Sequence, residues 1–259
     1  MDFELNEEQR AIAEMAGNLF ADYCTDDRLR AFDGAGEPFM GALWQSCVET
    51  GLHALAIPED FGGSGLGMTE LMLVLEAQGR ALGQVPLWRH QLAAATLAKF
   101  APDAAGETVQ AAAESRRLLT LSLDGLASAR GIALEASEVA GGWRLDGTVA
   151  AVPLGADVCQ ALLLARVAGA PRLLLVDLRV AGIDKTAGVL TQGEAVADLR
   201  FNGVVVPAAA LLPVAALDWL ESRAIAALAA LQLGVSAEQI RRTVEYVSER
   251  RQFDRAIGS

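Results

Sequence analysis

Cations are the scarce charge in this sequence. Its 21 lysines and arginines face 33 aspartates and glutamates, for a formal net charge of -12. Nucleic acids and anionic membranes both select a basic face, so the balance argues against either as a partner. Cysteine is rarer still: Cys24, Cys47 and Cys159 are scattered and form no C-x-x-C pair. Neither a disulfide framework nor a zinc site is encoded, and a reducing cytosol is the simplest setting. The two histidines, His53 and His90, lie far apart with no serine or cysteine nucleophile motif beside them, which leaves a hydrolytic triad without support. Histidine and carboxylate clusters with metal-ligand spacing are absent too, so no metal is expected. Aromatics make up only 5% of a chain that is 53% apolar, a composition of closely packed helices more than of an aromatic-rich β protein. The longest uncharged runs, near 203–217 and 224–237, are too short to span a bilayer, which takes about 20 residues. The start, MDFELNEEQR, lacks the basic and apolar regions of a signal peptide. The expectation is a soluble cytoplasmic protein.

What is present divides the chain by texture. Asn6 and Gln9 read as a capping box, followed by Ile12, Met15, Ala16, Leu19, Phe20 and Tyr23 on one helical face, which predicts a helix over about 7–24. A polar, glycine-bearing loop is expected from Thr25 to Glu37. Pro38 then opens a second helix with Leu43, Trp44, Cys47 and Val48 inward, ended by Gly51. Glycines 62, 63, 65 and 67 match neither a dinucleotide fingerprint nor a phosphate loop, and no βαβ unit surrounds them. Residues 91–115 read as one or two alanine-rich helices broken at Pro102. From Leu118 the apolar residues fall into short runs such as LLTLSL, WRLDG, ALLLARV and RLLLVDL, the pattern of a small β domain, with Gly141-Gly142 as its clearest hairpin signal. The strands end near Pro207 to Pro213. A long helix follows, free of proline from Arg223 to Arg250, with Ile225, Leu228, Leu231, Leu233, Val235, Ile240, Val244 and Val247 forming its greasy face. Its first half is apolar nearly all round and should lie inside a bundle or a subunit interface. The fold class is therefore α+β: an N-terminal helical domain over 1–115, a middle β barrel or sandwich over 116–212, and the beginning of a C-terminal helical bundle over 213–259.

The long helix closes on Arg250-Arg-Gln-Phe253-Asp-Arg-Ala-Ile257, three arginines around one aromatic. Taken from Tyr246, this segment resembles the helix end of the acyl-CoA dehydrogenase family, Y-x-x-x-R-x-Q-F-G-x-P-I-G-x-F-Q. Asp254 stands where the family has glycine and Ala256 where it has proline. The given sequence stops where Phe-Gln would follow, so further residues are expected. A second stretch agrees: Gly51, Leu52, Pro58, Glu59, Gly62, Gly63, Gly65, Leu66, Leu75, Glu76, Gly79 and Arg80 fall without a gap on the family's G-L-x-x-L-x-x-P-E-x-x-G-G-x-G-L segment and its L-E-x-x-G-R helix.

The resemblance implies FAD as cofactor. It also implies that the residues matching Arg250 and Phe253 reach across a subunit boundary to a neighbour's flavin, where a guanidinium fork suits pyrophosphate oxygens and a phenyl ring packs on the isoalloxazine. In the β domain it points to two cofactor segments. The first runs Leu121-Ser122-Leu123-Asp124-Gly125-Leu126-Ala127-Ser128-Ala129, where the hydroxyls of Ser122 and Ser128 survive and the acidic positions have become Leu123 and Ala129. The second runs Thr148-Val149-Ala150-Ala151-Val152-Pro153-Leu154-Gly155, where the covering aromatic has become Ala151 and the threonine near the reactive edge Pro153. Proline has no N–H to donate. The implied cofactor contacts are thus Arg250, Phe253, Leu121, Ser122, Ser128 and Val152. No catalytic residue is identified: one of the family's two base positions lies in a domain this sequence does not include, and the other falls on Ala224. Glu221, one turn earlier, reads as a helix-start carboxylate favoured by the dipole.

The activity implied is α,β-dehydrogenation of an acyl-CoA thioester to the trans-2-enoyl form within a homo- or hetero-oligomer, as a dimer of dimers, with an electron-transferring flavoprotein as acceptor. The losses at Ala151, Pro153 and Ala224 favour a chain that works with another, as in family members for steroid side-chain thioesters built from two unlike subunits. Two alternatives stay open: a non-catalytic partner that completes another chain's FAD site, and a flavin oxidase or monooxygenase on the same scaffold.

Overall fold

A computed structural model describes residues 4–258. Helix α1 (Glu7–Tyr23) starts with the expected capping box, the Asn6 side chain accepting from the Gln9 amide and Gln9 returning a contact to the Asn6 amide. Ile12, Ala16, Leu19 and Phe20 are its buried stripe. The segment expected to be a loop instead carries a second helix, α2 (Asp26–Ala35), capped by the Thr25 hydroxyl and closed by Gly36. It buries no side chain. That is why an apolar period could not announce it: local capping and two acidic residues at the positive end of the dipole hold it. Pro38 lies ahead of the next helix, α3 (Gly41–Glu49), without opening it. A 3-10 turn over Leu52–Ala54 and another over Glu59–Phe61 lead to α4 (Met68–Ala81). Then come α5 (Leu87–Phe100) and α6 (Pro102–Ala113), with Pro102 at the start of α6 as its missing N–H allows.

Strands β1 (Leu119–Ser122), β2 (Leu134–Val139), β3 (Gly142–Pro153), β4 (Gln160–Val167), β5 (Ala170–Asp177), β6 (Ile183–Val189) and β7 (Ala195–Pro207) form one seven-stranded mixed sheet. Its order is β1-β4-β2-β3-β7-β6, with β5 on the other side of β4. The β2–β3 hairpin turns at Ala140-Gly141, where the double glycine marked it.

Strand β4 shows why ALLLA is a continuous apolar run. Leu162 and Leu164 point into the helical core, whereas Ala161, Leu163 and Ala165 point into the core on the sheet's other face. A strand buried on both faces loses the polar half of its alternation.

The long helix α7 (Ala215–Glu249) is 35 residues, roughly 50 Å. Its packing face is the reverse of the one expected. Ala216, Leu217, Leu220, Ala224, Ala227, Ala230 and Gly234 are buried, while Ile225, Leu228, Leu233, Ile240 and Val244 are exposed. Backbone proximity is the cause. A Cβ on Gly79 of α4 would sit 2.1 Å from the Leu231 carbonyl oxygen, and one on Gly234 would sit 2.0 Å from that of Glu76. Helices this close admit only small side chains between them, and the bulky residues turn outward. A short hairpin, β8 (Arg251–Gln252) and β9 (Arg255–Ala256), ends the described chain.

Candidate cofactor site and family relationship

Strand β1 and the loop after it lie beside the bend in β3. Leu121 and Val152 bury their side chains in the helical and sheet cores respectively. Ser122 is buried, and its hydroxyl accepts from the Asp124 amide at 3.3 Å; the exposed Ser128 accepts from Arg130 N–H at 3.0 Å. Both hydroxyls therefore serve as local turn caps. The sequence reading missed two neighbours. Asp124 Oδ2 accepts from the Ala150 N–H at 3.0 Å, joining the two segments, and Asp198 Oδ1 of β7 accepts from the Ala151 N–H at 2.8 Å. Ala151 sits at φ 47° inside a register shift between Val149 and Val152. Asp198 could have been anticipated only from the pairing of β3 with β7, which no local motif encodes.

These residues do not fit a flavin in this chain's own β domain. Two backbone donors of the second segment are already held by carboxylates, and Pro153 offers none. The same carboxylates would repel pyrophosphate. Ala224, at the alternative base position, is buried in the helical core, and Glu221 is half-buried one turn before it.

Arg250 and Phe253 stand apart from these segments. Arg250 lies twenty-six residues along the chain from Ala224, nearly all of it helix, a separation of about 40 Å. Its guanidinium carbon is 5.8 Å from the centre of the Tyr246 ring. Phe253 is 94% exposed at the tip of the β8–β9 hairpin. It and Asp254 form the two-residue turn at φ 52° and 61°. Such turns favour Asn-Gly, and a left-handed non-glycine residue costs about 1–2 kcal/mol. An aromatic held at that cost in solvent is an outlier that points to function more than to stability. The turn is held from below by Ile257 N–H on Arg250 O and Gly258 N–H on Val247 O, both at 2.9 Å.

Elsewhere, His53 and His90 stack in the core with ring centres 6.3 Å apart, each edge-on to Trp44. Leu119 N–H donates to His90 Nδ1 at 3.2 Å, which places the ring proton on Nε2, and His53 Nε2 donates to Ala113 O at 2.8 Å. Both rings are neutral; burial pushes His90 down to about 3 and His53 below its ordinary range. Among the described residues no group of three or more histidine, cysteine or acidic side chains could hold a metal, and no helix is long and apolar enough to cross a membrane.

Comparison with known proteins identifies the family. The model of the acyl-CoA dehydrogenase N-terminal domain matches residues 6–110. Acyl-CoA dehydrogenase FadE27 of Mycobacterium tuberculosis is 32% identical over the whole of this chain and 70% of its own length. The fold is also that of the ChsE4-ChsE5 complex of Mycobacterium tuberculosis, where one chain superposes with a TM-score of 0.92 at 31% identity over all of this chain and 71% of that one. A chain of the Tcur3481-Tcur3483 steroid acyl-CoA dehydrogenase superposes with a TM-score of 0.89 at 32% identity, over 98% of this chain and 70% of that one. The motifs at 51–80 and 246–257, the helix–sheet–helix order and a relative 32% identical over the whole of this chain agree, and the chain belongs to the acyl-CoA dehydrogenase family.

Proposed function

We propose that this chain is the partner subunit of a heteromeric acyl-CoA dehydrogenase, lending Arg250 and Phe253 to an FAD held mainly by a different, catalytically complete chain. In that assembly the bound flavin would accept the β hydrogen of the acyl thioester while the complete chain's carboxylate takes the α proton. This chain's part is binding and orientation: a guanidinium for phosphate oxygens and an aromatic face for the ring system.

One observation carries the reading. The amides of Ala150 and Ala151 are closed by Asp124 and Asp198, and Pro153 has none, so this chain's own flavin segments are spent on itself. The exposed Phe253 and the outward apolar face of α7 support a neighbouring protomer. The named relatives that are two-protein complexes support a hetero-oligomer, for which we propose a dimer of dimers, and the steroid acyl-CoA dehydrogenase among them supports a bulky alicyclic acyl-CoA substrate. Leu121, Ser122, Ser128 and Val152 then act as scaffold of a degenerate site. An electron-transferring flavoprotein as acceptor and a cytoplasmic setting complete the proposal.

Expressing the chain alone and recording its visible spectrum tests it. A colourless protein that becomes yellow when co-purified with a complete dehydrogenase chain is expected. Stoichiometric FAD together with turnover of an acyl-CoA by the lone chain would defeat the partner role.

A further inference from the structure

A cavity of about 410 Å³ is lined by residues of the 56–68 segment, α5 and α7. Its floor and one wall are apolar: Pro58, Leu66, Met68, Leu92, Ala95 and Ala98. Trp219 also lines it, and among the described residues its charged side chains are Lys99 and Arg223. This is the size and make-up of a small-molecule site, a mostly apolar hollow with a few placed polar groups.

The two cations are arranged on an aromatic pair. The Arg223 guanidinium lies 3.8 Å from the centre of the Trp219 ring and donates to the Trp219 carbonyl at 3.0 Å, leaving its other N–H groups for a ligand. Lys99 Nζ is 5.7 Å from the centre of the Phe100 ring, and Phe100 meets Trp219 edge to face at 5.9 Å. A guanidinium stacked in this way loses less freedom when it binds an anion. Neither Lys99 nor Arg223 is among the described residues that form an ion pair, so both charges face the space without a carboxylate. The nearby polar backbone is already spent: Glu70 accepts from Gly67 N–H, and Gln91 from Ala56 N–H. The lining suits one negative headgroup with an apolar body attached.

We infer that this hollow binds an amphipathic monoanion, a free medium-chain or alicyclic carboxylic acid, with its carboxylate between Lys99 and Arg223 and its hydrocarbon along Leu92, Ala95 and Met68. The site is separate from the flavin segments and does not rest on the partner-subunit reading. Its ligand is the chemical class released when an acyl thioester is hydrolysed, so the hollow would sense the free acid corresponding to the substrate.

Calorimetric titration of the full chain with decanoate, kept below its micellar concentration, tests this. Saturable one-to-one binding is expected, at least tenfold tighter than that of decanol or of acetate, since both the charge and the chain are read. Arg223→Gln should weaken decanoate at least tenfold and abolish its advantage over decanol, with Lys99→Gln, a change at an exposed site, giving a smaller loss of the same sign. Ala95→Phe should block binding by filling the floor, and circular dichroism would show that each variant is folded. Equal binding of decanoate and decanol, binding of acetate as tight as decanoate, no saturable binding, or a folded Arg223→Gln with unchanged affinity would each overturn the assignment.

Discussion

At the scale of single residues, the buried histidines carry the clearest measurable consequence. His90 is neutral in the fold, with a pKa pushed down to about 3, whereas in the unfolded chain it titrates near the ordinary value of 6.5. Below pH 6.5 the unfolded state binds the extra proton, so stability falls as pH falls, and the loss grows until the folded pKa is reached. The contribution of His90 alone makes the protein about 2 kcal/mol less stable near pH 5 than near pH 7, and His53 acts in the same direction. Urea midpoints at the two values should show it, and His90→Gln, which keeps an acceptor for Leu119 N–H, should flatten the slope; an unchanged slope would remove His90 from the account. Arg89 of α5 and Glu194 before β7 form a mostly buried pair in which the guanidinium also stacks on Trp88. Glu194→Gln leaves that charge uncompensated and should cost about 3 kcal/mol in denaturant unfolding. Two isolated histidines were plain in the sequence. That they stack on each other under Trp44 was not, because α3, α5 and the turn at 52–54 bring them together across many residues.

At the scale of elements, helices α4 and α7 cross in backbone contact. Gly234→Ala drives a methyl into the Glu76 carbonyl, so the helices must separate and the alanine face must open. A loss of about 1–3 kcal/mol is expected, read as a fall of several degrees in melting temperature. Alanine at the exposed Gly17, where nothing lies within 4 Å, should by contrast be neutral or slightly stabilising through helix propensity. The length and position of α7 were legible from the absence of proline, but its buried face was misjudged. Hydrophobic periodicity ranks positions by size, and here the partner's distance ranks them by smallness. Helix α2 was missed for the complementary reason, since Leu29 and Phe32, its two partly buried apolar residues, make too short a stripe to reveal it.

At the scale of the whole molecule, the charged and aromatic end of α7 is proposed to serve a neighbouring protomer. Arg250 lies about 40 Å along α7 from Ala224, and its proposed flavin belongs to another protomer. In the assembled complex, Arg250→Ala should weaken flavin retention by roughly 1.5–3 kcal/mol, the value of a charged hydrogen bond. The melting temperature of the isolated chain should not change, because the side chain is exposed. Equal flavin content in the wild-type and variant complexes would return this arginine to ordinary surface charge.

By itself the sequence determined the family and the order of helix, sheet and helix, and it put Ala151, Pro153 and Ala224 where the resemblance implies an aromatic, a hydroxyl and a carboxylate, since motifs and side-chain chemistry are local. The tertiary structure alone decided that Asp124 and Asp198 take the free amides of the second segment, that the small face of α7 is the packed one, and that Lys99 and Arg223 flank a single hollow. Each of these depends on distances between segments remote along the chain, which spacing in sequence does not encode.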